Sequence, residues 1–363
     1  MARFHIAVLM GSLAALRRGS LATVVLVFGF LSFLLLGIVL VVDFVLSASF
    51  FSYTLVVVAG LAFFFIFLQW LISPIIVRWA IRGKEEATRE SNPWLYGTVE
   101  ALARQAGVRT PRIWVSSDDS PNAFVFGRTV ASAELVVTGG LLQDLNADEV
   151  RAVLGHEIGH LRHRDVVVMT WVSAVPLLAY ILARVGFEAL RGSGRVRGKG
   201  AGQAILIAVL VAIISYVIYL VTQLLVLYLS RTREYYADAY GGAATGDPHL
   251  LASALTKIAY GLSLARRDSE PSGLRAFFIG DPVRATQDYA TLQNRMSQYD
   301  LDRDGQIDAY ELQRAIQMER SHWSRANELF STHPPTYKRI LMLEEIEEEM
   351  KRGGLPADIY KFV

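Results

Sequence analysis

The chain has 363 residues, 53% of them hydrophobic, with a mean hydropathy of +0.34, a net charge of +2 and no cysteine. So apolar a composition excludes an ordinary soluble protein and points to membrane spans. The near-neutral charge gives no case for a nucleic-acid partner, and the lack of cysteine excludes disulfides, thiolate metal sites and cysteine nucleophiles.

Residues up to Ser20 are mildly apolar and carry Arg3, Arg17 and Arg18. The arginine pair runs straight into a long apolar segment, which predicts an interfacial helix rather than a cleaved signal peptide. Two spans follow, residues 23–42 and 53–77, each long enough for a hydrocarbon core of about 30 Å. The turn between them has no Lys or Arg, whereas Arg17, Arg18, Arg78, Arg82 and Lys84 flank the pair. The positive-inside rule then places both flanks in the cytosol.

From Glu85 the chain turns polar. Residues 93–106 read as an amphipathic helix, and 111–117, 122–127 and 133–138 as strands bounded by turn residues. A second helix opens at Asn146, with Glu149 at capping-box spacing and Val150, Val153, Leu154 and Ile158 on one apolar face. It carries His156-Glu157-Ile158-Gly159-His160. Histidines four apart on a helix project from one face, which suits zinc. The ion lowers the pKa of a bound water to about 7, and Glu157 is placed to take the proton.

A third apolar segment, residues 166–182, and a fourth, 204–229, bracket a glycine-rich link holding Arg191, Arg195, Arg197 and Lys199. If this hairpin spans, the link lies on the outer side, against the positive-inside rule. Then the catalytic side is extracytoplasmic, or the hairpin does not cross fully, or the larger basic count on the motif side, including Arg162, Arg164, Arg231 and Arg233, decides; the reading adopted is a cytosolic catalytic side. A hairpin returns the chain to the side it left, so Glu234 comes back near His160 as the third zinc ligand. Asp238, one turn further on, would accept the second ring N–H of a ligand histidine.

Residues 300–311 form an EF-hand pattern. Asp300, Asp302, Asp304, Asp308 and Glu311 stand at positions 1, 3, 5, 9 and 12, Gln306 at the carbonyl position and Gly305 at the turn. That arrangement predicts calcium binding.

The run from Leu141 to Asp165, with Glu234-Tyr235-Tyr236-Ala237-Asp238 and Ser331-Thr332-His333-Pro334-Pro335, resembles the HtpX-type membrane zinc metalloproteases. Two apolar segments before the motif and two between the ligands resemble them as well; the calcium loop departs from the family pattern. The resemblance implies a zinc endopeptidase in membrane-protein quality control, with His156, His160 and Glu234 on zinc and Glu157 as general base. It also implies that the strand at Asn122, Ala123 and Phe124 lines the cleft, where a substrate adds as an edge strand. His333 follows from the same resemblance, either as a catalytic donor to the oxyanion or as packing for the Pro-Pro turn. Arg339 either pairs with a site carboxylate or is a solvated charge. His5, His163, His249 and His322 show no partner pattern and read as ordinary residues.

The expected architecture is a mainly α, multi-pass cell-membrane protein with an α+β zincin-like domain and a small sheet beside the motif helix. Residues 1–85 hold the first spans, 86–165 and 230–363 the two halves of the protease, and 166–229 the membrane hairpin. Its partners would be the bilayer and polypeptide substrates, misfolded membrane proteins among them. The alternatives are a CAAX-type processing protease and a catalytically inactive calcium-binding adaptor.

Overall fold

The computed structural model describes residues 18–39, 51–192, 201–264, 330–353 and Tyr360. The expected interfacial helix, the link around Arg195 and the calcium loop at 300–311 lie outside the described residues. The chain divides into two compact units, Leu16–Ile75 with Val167–Leu229, and Ile76–Val166 with Ser230–Val363.

The first unit is helical and apolar. Its helices belong to α1 (Arg18–Val39), α2 (Phe51–Ala80), α6 (Asp165–Gly192) and α7 (Ala201–Thr245). Each of the four is long and apolar enough to cross a membrane. Val27, Leu31 and Leu34 are buried with Val172, Val175, Ile218 and Leu229. Hydroxyls within these helices return to carbonyls one turn back: Thr23 to Gly19 at 3.0 Å and Thr222 to Ile218 at 2.7 Å. That satisfies polar groups for which lipid offers no partner. Gly186 packs against Ala212, where an added Cβ would come within 2.8 Å, the small-residue contact common between membrane helices.

The second unit holds a four-stranded sheet of β1 (Glu85–Glu86), β2 (Arg112–Ser116), β3 (Ala123–Phe126) and β4 (Glu134–Thr138), in the order β1-β2-β4-β3. β2 and β4 run parallel; the other pairs are antiparallel. β4 is central, with Leu135, Val136 and Val137 all buried, and β3 is an edge strand. α3 (Pro93–Ala106) starts at Asn92, whose side chain accepts from the Leu95 N–H, and stops at Gly107 in the left-handed region (φ 69°). It buries Leu95, Val99 and Leu102. Among the described residues the unit also holds α4 (Gly139–Asp144), α5 (Ala147–His163), α8 (Pro248–Leu264) and α9 (Thr336–Gly353). The fold class expected from the sequence is the one observed.

Candidate metal centre

The geometry starts from α5. Asn146 accepts hydrogen bonds from the Asp148 and Glu149 amides, and Glu149 reaches back to the Asn146 N–H at 2.9 Å. The same buried carboxylate accepts from Ser253 at 2.6 Å and Lys257 at 2.9 Å, tying the start of α5 to α8. At its other end α5 stops on Arg164, the one non-glycine residue with positive φ among the described residues (62°). This turn brings Asp165 back against His160.

Each histidine of the motif is held by a carboxylate at its outer nitrogen. His160 Nδ1 lies 2.7 Å from Asp165 Oδ2, and His156 Nδ1 lies 2.8 Å from Asp238 Oδ1. A carboxylate there keeps the proton on Nδ1 and leaves Nε2 with a lone pair. The two Nε2 atoms converge to 3.1 Å. Glu234 on α7 closes the triangle, its oxygens 3.5 Å from His160 Nε2 and 3.8 Å from His156 Nε2. Two lone pairs and a carboxylate crowded in a buried space are unfavourable without a cation between them. Two nitrogens and one oxygen are also a catalytic zinc donor set. The residues fit that ion, and His156, His160 and Glu234 would hold it.

Glycines allow the approach that makes this possible. Gly159 faces the Ala237 backbone, where a Cβ would meet atoms at 3.3 Å, and Gly155 faces Gly241 at 3.4 Å. α5 and α7 therefore touch backbone to backbone, which brings Glu234 to the two histidines.

A second layer of charge surrounds the first. Arg339 on α9 is fully buried and donates to both oxygens of Asp238, from Nε at 2.7 Å and from Nη2 at 2.6 Å. Of the two expectations for Arg339, the pairing with a site carboxylate is the one found. Burial alone would lower its pKa, but Asp238 outweighs that and raises it. Arg233 pairs with Asp165 on the other flank. Burial lowers the pKa of both His156 and His160, which keeps the imidazoles neutral, as ligands must be. Glu157 is buried; that burial, then the nearby Glu234 charge, pushes its pKa well above the ordinary carboxylate range. Its carboxylate accepts a hydrogen bond from the Val125 backbone.

That bond brings β3 to the site. The Thr138 N–H bonds Asn122 O at 3.0 Å, and the Asn122 N–H bonds the Thr138 hydroxyl at 2.8 Å. With the register Ala123↔Val137 and Phe124↔Val136, pairing then alternates along the strand, and the backbone groups of Ala123 and Val125 point away from β4. Asn122, Ala123 and Phe124 are all buried. His333 is buried too, with Nδ1 3.1 Å from Glu234 Oε2 and no hydrogen-bond partner at Nε2.

Two readings need revision or addition. His163, read as an ordinary residue, is buried and bonded through Nε2 to Tyr360 at 3.0 Å. The holding roles of Asp165 and Arg233 were not foreseen. A carboxylate just past the end of the motif helix was the available signal for Asp165.

A two-histidine, one-carboxylate centre on an H-E-x-x-H helix, in a chain with four membrane-length helices, defines a membrane metalloprotease. The chain belongs to peptidase family M48, which matches residues 89–347, and it is of the HtpX type. It is 35% identical over 302 residues to a "Protease HtpX homolog" of Aeropyrum pernix, covering 81% of this chain and 86% of that protein. It is 43% identical over 215 residues to one of Methanothermobacter thermautotrophicus, covering 59% and 78%. A crystal structure of S. mikatae Ste24p aligns at 18% identity with a TM-score of 0.45, over 90% of this chain and 64% of that one.

Proposed function

We propose that this protein is a zinc-dependent endopeptidase that cleaves membrane proteins, misfolded ones in particular, from the cytosolic side of the cell membrane. The observation that carries the reading is the convergence of His156 Nε2, His160 Nε2 and the Glu234 carboxylate beside buried Glu157. Zinc held there would act as a Lewis acid on water and on the scissile carbonyl. Glu157 would take the proton of the attacking water and pass it to the leaving amine. Its raised proton affinity suits a group that must accept a proton and give it back near neutral pH. The Val125 amide orients that carboxylate. The edge of β3 turned away from β4 would receive the substrate as an added strand, through the backbone groups of Ala123 and the Val125 carbonyl, the Val125 N–H being bonded to Glu157.

His333 would stabilise the oxyanion. Its Nδ1 lies 3.1 Å from Glu234 Oε2, which leaves Nε2 as the ring atom to face the oxyanion. Asp165 and Asp238 would orient the ligands and Arg339 and Arg233 would fix those two carboxylates.

The test is hydrolysis of casein and of an unfolded membrane protein by purified protein, before and after zinc removal. Activity lost with the metal and restored by zinc, on both substrates, is expected. Activity that persists in metal-free protein contradicts the reading. For the cytosolic side, a single cysteine at Ser117 in this cysteine-free chain should label from the cytosolic face alone.

The pattern at 300–311 supports calcium binding by Asp300, Asp302, Asp304, Gln306, Asp308 and Glu311, modulating the protease without entering its chemistry. Calorimetry on wild type and Glu311→Gln tests it: calcium heat in the first and none in the second is expected, and none in either refutes it.

A further inference from the structure

We propose that Tyr360 is a positioning residue for the metal centre, locking the crossing of the two helices that carry the ligands. The inference rests on the metallopeptidase reading above. α5 supplies His156 and His160, and α7 supplies Glu234. Where they touch, Gly155, Gly159 and Gly241 meet backbone. Such a contact lets helices come close with few side chains interlocked across it: the Tyr240 ring, 3.2 Å from a Cβ added at Gly159, and the Ala244 Cβ, 3.8 Å from one added at Gly155. Besides the His156–Asp238 bond, a further lock lies beside the crossing.

It is found one turn beyond His160. The His163 ring lies edge-on to Tyr236 (centroids 6.1 Å apart, 83°) and to Tyr240 (6.1 Å, 81°), both on α7. Tyr236 stands two residues after Glu234. Tyr360 closes this group from a distant part of the chain. Its ring stacks on Tyr236 (5.2 Å, 28°) and meets His163 edge-on (5.6 Å, 71°). Its hydroxyl is hydrogen-bonded to His163 Nε2 at 3.0 Å. One side chain therefore holds α5 through a directional bond and α7 through a ring face. Tyr360, Tyr236 and His163 are all buried, so the contacts are dry. The His163 carbonyl also faces Arg233 at 3.5 Å, the guanidinium that pairs with the Asp165 behind His160. A shift at His163 is thereby passed to the ligand histidine.

The test uses the full chain with Tyr360→Ala, Tyr360→Leu and Tyr360→Phe. Zinc affinity is read by competition with a chelator, and kcat and KM are read on labelled casein at saturating zinc. Losing a residue that orients ligands costs about tenfold. Tyr360→Ala should therefore bind zinc about tenfold more weakly and lose about tenfold in kcat, with KM little changed. Tyr360→Phe keeps the ring but loses the hydroxyl bond to His163, and should lie between wild type and Tyr360→Ala in both. Tyr360→Leu, which fills the space without a ring face, replaces Tyr360→Ala if that variant does not fold. Wild-type zinc affinity and kcat in Tyr360→Ala or Tyr360→Leu overturn the proposal. So does a loss confined to KM, or a kcat unchanged per mole of folded protein. If wild type itself binds no zinc, the metallopeptidase reading fails instead, an outcome the same titration separates.

Discussion

The backbone of His156 lies directly against Gly241: a Cβ added to Gly241 would stand 2.8 Å from the His156 nitrogen and 3.0 Å from its Cα. The atoms in the way are main chain and cannot rotate aside, so α5 and α7 would have to separate. Gly241→Ala should cost about 1–3 kcal/mol of stability, the usual range for an overfilled core. It should also weaken zinc binding, because Glu234 moves away with α7. Gly242→Ala is the control, since its Cβ meets Leu343 and Pro248 instead. Melting temperature and zinc affinity of both variants check this. Equal zinc affinity in Gly241→Ala and wild type would show that the close approach does not set the ligand geometry.

The carboxylates behind the histidines should matter in proportion to the hydrogen bonds they hold. Asp238→Asn and Asp165→Asn remove the acceptors of His156 and His160 and should each lower zinc affinity about 10–100-fold. Each change also removes the charge partner of a buried arginine, Arg339 beside Asp238 and Arg233 beside Asp165, so both variants should be less stable than wild type. Chelator competition and thermal melts on the two variants check this, and wild-type zinc affinity and stability in either would refute it.

Local features were legible in the sequence; long-range partnerships were not. The helix from Pro93 to Ala106 and the capping box at Asn146 and Glu149 are written in residues a few places apart. The three longer strands announce themselves by apolar runs between turn residues. β1 does not, because Glu85-Glu86 has no apolar alternation and pairs only because β2 offers an edge. Arg339 lies 101 residues from Asp238, and Tyr360 197 from His163. Such pairs depend on how the helices cross, and glycines set the crossing without any periodic signal. The three expected metal-ligand residues do converge in the fold, because a hairpin must return to its starting side.

Acid should destabilise the fold through His163. Its folded pKa lies well below the ordinary 6.5, through burial first and then through its cationic neighbours, Arg233 and Arg162 among them. The unfolded chain therefore binds a proton that the folded chain refuses. Stability is fully present above about pH 6.5 and is lost as pH falls from there toward the depressed folded value. Melting temperature should fall between pH 7.5 and 5.5 in wild type, and fall less in His163→Gln. Identical slopes would mean that His163 does not contribute.

The central claim is that Glu234 holds the metal while Glu157 only moves protons. It is tested most directly by zinc content and casein hydrolysis measured together on Glu157→Gln and Glu234→Ala. The account predicts that Glu157→Gln keeps stoichiometric zinc and loses activity, while Glu234→Ala loses both. Zinc lost from Glu157→Gln and retained by Glu234→Ala, or proteolysis undiminished in Glu157→Gln, would contradict it.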